Sequence, residues 1–200
     1  MNGLKGAFLV IEGIDGAGKS TLCEIMRRSL ESEGRKVIVT QEPTHDEIGS
    51  FIRRGDVKGI SQKGEALLFV ADRAVHTERI EKWIEEGNIV ICDRYFASTV
   101  AYQSVALNGV ALDKKWLISI NMPVIREPDL TVLLDIDPKK GLSRIGGRDE
   151  ISKFENAGYL KGVRKAYLEL AAEFGFIVMD AERDKKVLSK EIIEKLKGRL

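Results

Sequence analysis

The sequence predicts an α/β protein built on a five-stranded parallel β-sheet with helices on both faces. Short, nearly continuous apolar runs alternate with longer segments in which apolar residues recur at helical spacing. Such runs are typical of strands buried on both faces, and their alternation with helices is typical of a parallel sheet. Ligands on these sheets bind beyond the carboxyl ends of the strands, so the residues after each strand are the first candidates for a site.

The apolar runs AFLVIE, KVIVT, NIVICD, LTVLLD and FIVM predict strands at Ala7–Glu12, Lys36–Thr40, Asn88–Asp93, Leu130–Asp135 and Phe176–Met179. Helical spacing predicts helices at Lys19–Glu33, Ile48–Arg53, Glu65–Glu86, Thr99–Leu107, Asp113–Met122, Pro138–Arg144, Glu155–Phe174 and Asp184–Leu196. Gly34 and Gly87 stand where helices end, and Pro138 suits a first helical turn. No repeat or Ser/Pro-rich linker divides the chain, so residues 1–200 are predicted to form one domain.

Composition narrows the class of protein. Hydrophobic residues make up 44% of the 200-residue chain and charged residues 32%, which is typical of a globular protein. The net charge of +1 provides no long-range field for a nucleic acid polymer or an anionic membrane. Cys23 and Cys92 lie far apart and form no CxxC pair, which fits a reducing compartment. The first apolar run ends at Glu12 and is too short to cross a membrane, so we expect a soluble cytoplasmic protein.

A glycine-rich segment follows the first predicted strand and precedes a predicted helix. It reads Gly13-Ile14-Asp15-Gly16-Ala17-Gly18-Lys19-Ser20 and is followed by Thr21. This is the phosphate-binding pattern G-x-x-x-x-G-K-[ST], in which backbone amides and a helix N-terminus cradle a polyphosphate. The Lys19 ammonium would neutralise the β- and γ-phosphates, and the Ser20 hydroxyl would be a ligand of Mg²⁺. The segment therefore predicts a P-loop NTPase fold that binds ATP and Mg²⁺.

A P-loop occurs in kinases, GTPases, motor ATPases and nucleotide-gated switches alike. The chain has no Asn-Lys-x-Asp sequence, the motif by which GTPases read their base, and it is short for a large ATPase. A small-molecule kinase is therefore favoured.

Candidate substrate residues follow or precede the third predicted strand. Asp93 ends this strand and could hold Mg²⁺ through a water, and the forked guanidinium of Arg94 could bridge two phosphates. On the preceding helix Phe69 and Arg73 are four residues apart and share a face, where they could hold a flat heterocycle. Each pair also has a structural interpretation, as a salt bridge or as a core phenylalanine with a partly buried arginine. Tyr102-Gln103 could close the same pocket.

Together these motifs resemble the thymidylate (dTMP) kinase family, and the resemblance extends over almost the whole chain. It rests on FLVIEGIDGAGKST, TQEPT, IGSFIR, LLFVADR, ICDRYFASTVAYQ and PDLTVLLDIDPKKGLSR. The DRY sequence followed at this distance by AYQ is more specific to the family than the P-loop. The resemblance implies phosphoryl transfer from ATP to dTMP, and the family is usually homodimeric.

The resemblance also implies roles for individual residues. Asp15 would hold the deoxyribose 3′-hydroxyl and help to order the magnesium and phosphates, and Tyr102 would crowd the 2′ position of the sugar. The remaining substrate residues divide between the phosphate and the base. Glu42, Pro43, Arg53 and Arg94 would surround the dTMP phosphate, while Phe69 would stack on thymine and Arg73 and Gln103 would read its polar edge.

The family resemblance further suggests a short mobile lid over ATP, at about residues 144–154. Residue 16, which lies within the P-loop, is glycine rather than arginine. The chain therefore resembles the type of thymidylate kinase that supplies its catalytic arginine from the lid. Arg148 is the first candidate for that arginine and Arg144 the second. A solvated basic loop is the alternative interpretation of this segment.

Two other functions stay open at this level. A deoxynucleoside kinase also has a P-loop and an acid-arginine pair, but it needs a general base, and the residue before Asp93 is Cys92. A non-catalytic nucleotide-binding regulator is the second alternative. Against it, the reactive positions Lys19, Ser20, Asp93 and Arg94 are all intact.

Overall fold

The computed structural model describes residues 6–55, 59–107, 109–145 and 157–199. The strands are β1 (Ala7–Glu12), β2 (Val37–Gln41), β3 (Ile89–Asp93), β4 (Leu130–Asp135) and β5 (Ile177–Asp180). The helices are α1 (Lys19–Ser32), α2 (Glu47–Arg53), α3 (Gln62–Glu85), α4 (Phe96–Gln103), α5 (Lys114–Asn121), α6 (Pro138–Ile145), α7 (Ala157–Phe174) and α8 (Lys185–Lys197). A short 3₁₀ turn covers Met122–Val124.

The five strands form one parallel sheet in the order β2-β3-β1-β4-β5. Every residue of β1 and β3 is buried, as their continuous apolar sequences predict. Helices α1 and α8 pack against each other, while α4 contacts both α3 and α7. The predicted α/β fold is therefore confirmed. Because β1 and β3 are neighbours in register, the segments that follow them meet at the same edge of the sheet.

All five predicted strands are present, and the helix that differs most from its prediction is the one after β3. The helix expected at Thr99–Leu107 instead spans Phe96–Gln103. It begins earlier because the buried carboxylate of Glu12 accepts hydrogen bonds from the backbone amides of Tyr95 and Ser98. It ends earlier because Leu107 turns away to pair with Val110.

Helix ends follow local capping rules where the sequence signals them. Gly34 and Gly87 both have positive φ, and each donates its N–H to the last turn of the preceding helix. Helix α3 starts three residues earlier than predicted because the Ser61 hydroxyl accepts a hydrogen bond from the Gly64 amide.

Within the described ranges, no helix is both long enough and apolar enough to span a bilayer.

Candidate active site

The P-loop joins β1 to α1 and depends on glycine at two close approaches. Gly13 and Gly16 both have positive φ. A Cβ on Gly13 would lie 2.6 Å from the carbonyl oxygen of Leu134, and one on Gly16 would collide with the carbonyl oxygen of Gly141. The loop therefore keeps its shape only with glycine at these positions, and it leads directly into the N-terminus of α1.

Lys19 is the first residue of α1, and its side chain is buried beneath the loop. Its Nζ donates to the carbonyl oxygen of Ile14 at 3.2 Å. Burial and the nearby Arg94 charge lower the pKa of Lys19, although the carboxylates of Asp93 and Asp15 oppose that shift. The ammonium is thus partly desolvated and held where a polyphosphate would sit.

Ser20 and Asp93 come together from α1 and β3. The Ser20 hydroxyl donates to Oδ2 of Asp93 at 2.6 Å. The other carboxylate oxygen of Asp93, Oδ1, is buried and has no hydrogen-bond partner within the described residues. A hydroxyl beside a carboxylate with a spare oxygen is a donor set that suits Mg²⁺ and its waters. The geometry fits the predicted metal site.

Arg94 follows β3 in the left-handed region, with φ of 72°, which is rare for a side-chain-bearing residue. Its guanidinium donates to Asp15 at 2.5 Å and lies 5.2 Å from the centre of the Tyr102 ring. Although burial opposes it, the adjacent Tyr102 and Asp15 raise the pKa of Arg94. The guanidinium therefore stays charged between the P-loop and α4.

A cavity of about 200 Å³ opens beside Arg94. Eight of the nine predicted substrate residues line it: Asp15, Glu42, Pro43, Phe69, Arg73, Arg94, Tyr102 and Gln103. Tyr95, Ser98 and Thr99 complete the lining. The cavity is thus surrounded by the P-loop, the loop after β2, helix α3 and helix α4. Asp15 and Arg94 border both this cavity and the phosphate site.

Arg73 in the cavity wall is almost fully buried and is fixed by several acceptors. It donates to Glu42 at 2.8 Å, to Thr99 at 3.0 Å and to the side chain of Asn121. His76 contacts the other oxygen of Glu42 at 2.9 Å. The guanidinium is therefore held rigidly, and its charge is balanced by the buried Glu42.

The ninth predicted residue, Arg53, is not among the residues that line this cavity. Its guanidinium is exposed and donates to the backbone carbonyl oxygens of Pro43 and Thr44. It braces the loop after β2, whose other residues reach the cavity.

The predicted lid arginines have different outcomes. Arg144 lies in the last turn of α6, is exposed, and donates to the carbonyl oxygen of Gly16 in the P-loop at 3.3 Å. Arg148 lies outside the described residues, and so does the rest of the proposed lid beyond Ile145. Lys185, which the sequence did not single out, approaches the P-loop from α8 and donates to the carbonyl oxygen of Ala17 at 3.0 Å.

Glu12, Ser98 and Tyr167, which the sequence did not single out, form a largely buried cluster beneath Arg94. One signal was available: Glu12 is a charged residue at the end of an otherwise apolar strand, directly before the P-loop. Burial raises the pKa of Glu12, whereas its hydrogen bond from Ser98 and the charge of Arg94 act in the opposite direction. A buried carboxylate with a shifted pKa beside a charged site residue is a candidate for a role in the site.

The fold and site together define a P-loop phosphotransferase, in which a nucleotide phosphate site faces a second, aromatic-lined cavity. A sequence model of the thymidylate kinase family matches residues 11–192. The chain is 42% identical to a probable thymidylate kinase of Thermococcus gammatolerans, with 94% of each chain aligned. It is 43% identical to a probable thymidylate kinase of Pyrococcus horikoshii, over 86% of this chain and 85% of that one. It is also 38% identical to a thymidylate kinase of Halothermothrix orenii, with 98% of each chain aligned. The chain belongs to the thymidylate kinase family.

Proposed function

We propose that this protein transfers the γ-phosphoryl group of ATP to dTMP, giving dTDP and ADP. The observation that carries this proposal is the cavity beside Arg94, because it is lined both by Asp15 of the P-loop and by Arg94, which donates to Asp15. Two ligands bound on either side of these residues would meet with their phosphates facing one another. Family membership supports dTMP as the acceptor.

Transfer between two phosphates requires alignment and charge neutralisation rather than covalent chemistry by the protein. Lys19 and Arg94 would supply fixed cations on the two sides of the transfer point, and Arg144 or Arg148 would supply a third from the lid. The acceptor phosphate is already ionised at neutral pH, so no general base is assigned.

The residues that would hold Mg²⁺ are Ser20, directly, and Asp93, through a water. When bound, the metal ion would neutralise charge on the ATP phosphates. Oδ1 of Asp93 has no hydrogen-bond partner among the described residues, which supports this assignment because a buried acceptor otherwise costs free energy. The main-chain groups of residues 13–21 would surround the same phosphates.

In the cavity, Phe69 would stack on thymine, and Arg73 and Gln103 would face its polar edge. Tyr102 would lie against the sugar, and Asp15 would accept from its 3′-hydroxyl. Tyr102 already donates to Asp15 at 3.3 Å, which places both groups at the same end of the cavity.

Glu42 and Pro43 would form the wall near the acceptor phosphate. Arg53 donates to the carbonyl oxygens of Pro43 and Thr44 in the same loop, and its remaining N–H groups would contact that phosphate.

The protein is further proposed to act as a cytoplasmic homodimer. Leu67, Ala71 and Val75 follow one another at four-residue spacing on α3, and all three are exposed. This apolar stripe is available for α3 of a second copy. Sedimentation equilibrium of the wild-type protein should give twice the chain mass. A variant in which Leu67 and Val75 are both replaced by charged residues should give the mass of a single chain.

The function is tested by assaying a panel of nucleoside monophosphates and thymidine with Mg-ATP. We expect dTMP to exceed monophosphates of other bases by at least about 100-fold in kcat/KM. Phosphorylation of thymidine instead would identify a deoxynucleoside kinase. ATP consumption that no nucleotide acceptor stimulates would favour the regulator.

A further inference from the structure

Glu12 is the last residue of β1, and its side chain is completely buried. Four donors surround its carboxylate. Oε1 accepts from the backbone amides of Tyr95 at 2.8 Å and Ser98 at 3.2 Å. Oε2 accepts from the Ser98 hydroxyl at 2.6 Å and the Tyr167 hydroxyl at 3.0 Å. This carboxylate therefore ties β1, the start of α4 and the middle of α7 together.

The two hydroxyl groups connect Glu12 to Arg94. Nη1 of Arg94 donates to the Ser98 hydroxyl at 3.2 Å and to the Tyr167 hydroxyl at 3.4 Å. A hydroxyl has one proton to donate and lone pairs to accept with. The two hydroxyl oxygens also lie 2.7 Å from each other, so one proton can bridge them while the other is donated to the Glu12 carboxylate; in either arrangement lone pairs remain to accept from the guanidinium. Glu12 thus sets the direction of the hydrogen bonds beneath Arg94.

Glu12 also supports the unusual backbone of Arg94. The positive φ of Arg94 must be imposed by its surroundings, because side-chain-bearing residues rarely adopt it. The backbone amide of Arg94 donates to the carbonyl oxygen of Ile11. The next amide, that of Tyr95, donates to the side chain of Glu12. The side chain of Tyr95, which directly precedes α4, provides no cap; the Ser98 amide, which donates to the Tyr95 carbonyl oxygen at 3.1 Å, also donates to Glu12.

We propose that Glu12 is a positioning residue that aims the Arg94 guanidinium at the phosphate of the acceptor nucleotide. This inference rests on the proposed function, in which Arg94 holds the dTMP phosphate. Glu12 itself is buried beneath Arg94 and would act only through it.

The test compares the affinities of dTMP and thymidine by calorimetry, because only dTMP carries the phosphate that Arg94 would hold. In Glu12→Gln we expect dTMP to bind about 10-fold more weakly or worse, with thymidine affinity unchanged. In steady state, kcat/KM for dTMP should fall by at least the same factor. Asp129→Asn is the matched control, since Asp129 also accepts a backbone amide of β1, that of Phe8 at 2.8 Å, but outside the site.

A second variant keeps the test decisive if Glu12→Gln folds poorly. Ser98→Ala combined with Tyr167→Phe removes only the two hydroxyls, and it should lower the ratio of dTMP to thymidine affinity in the same way. An unchanged ratio in folded Glu12→Gln or in the double variant would overturn the inference alone. A wild-type protein that binds thymidine as tightly as dTMP would instead remove the proposed function, and the inference with it.

An Arg94→Lys background separates positioning from general destabilisation. If Glu12 acts through Arg94, then adding Glu12→Gln to Arg94→Lys should lower kcat/KM no further. If the fold-losses in kcat/KM of the two single variants instead multiply in the double variant, Glu12 acts independently of Arg94.

Discussion

The guanidinium of Arg94 donates to the carboxylate of Asp15 at 2.5 Å, which joins the P-loop to the substrate cavity. Asp15 lies within the P-loop, and Arg94 follows a neighbouring strand. One ion pair therefore borders both ligand sites. Groups placed in this way can contact both bound nucleotides at once and hold their phosphates in the alignment that a transfer requires.

Arg94→Ala should abolish transfer while leaving the protein folded. The variant loses a fixed cation that borders both phosphate sites, so we expect kcat/KM to fall about 1,000-fold or more. Coupled ADP detection measures the rate, and circular dichroism monitors the fold. Arg183→Ala, which removes an exposed ion pair with Glu191, is the control and should keep full activity. Near-wild-type turnover by folded Arg94→Ala would contradict the proposed role.

Asp93→Asn should raise the Mg²⁺ concentration needed for half-maximal rate about 10-fold or more. The amide cannot supply two acceptor oxygens, so the orientation of the Ser20 hydroxyl and of metal-bound water is lost. A titration of activity against Mg²⁺ at saturating ATP and dTMP measures the shift. An unchanged magnesium requirement would exclude Asp93 from the metal site.

Phe69→Ala should raise KM for dTMP about 10-fold while leaving KM for ATP unchanged. The variant removes the ring that lines the cavity on the side of α3. Val187→Ala on α8 removes an exposed apolar side chain and serves as a control. An equal rise in both KM values after Phe69→Ala would indicate a general structural defect instead.

Glu42→Gln should lower the free energy of unfolding by about 3–5 kcal/mol, because it leaves the buried Arg73 without its counter-charge. Urea denaturation measures the loss. Glu191→Gln breaks the exposed pair with Arg183 and should cost at most about 1 kcal/mol. Similar small losses in both variants would mean that Arg73 is hydrated or otherwise paired.

Acidification should remove the stabilisation provided by Asp15. Burial alone would raise the pKa of Asp15, but the charges of Arg94 and Lys19 outweigh it and lower that pKa from 3.8. A lowered folded-state pKa contributes stability that is present above the unfolded value and is lost as pH falls through the folded value. The stability difference between wild type and Asp15→Asn should therefore be constant above about pH 5 and shrink below pH 3.8. Urea midpoints measured across this range test it, and a difference that grows on acidification would refute it.

Much of the site was predictable because its residues follow strands or recur at helical spacing. The P-loop is a contiguous pattern, and Phe69 and Arg73 share one helix face by simple periodicity. The acceptors of Arg73 were not predictable, since Thr99 and Asn121 lie on separate helices that only packing brings together. The exposed placement of Arg53 and the earlier start of α4 were missed for the same reason.

The sequence by itself determined the parallel α/β class, the phosphate-binding loop and the family, because these depend on local periodicity and on contiguous motifs. Only the tertiary structure decided the strand order, the left-handed backbone of Arg94 and the cluster of Glu12 with Ser98 and Tyr167. Glu12 and Tyr167 are 155 positions apart in the chain. Contacts over such separations depend on which strands become neighbours and on the burial that follows, and no local pattern encodes either.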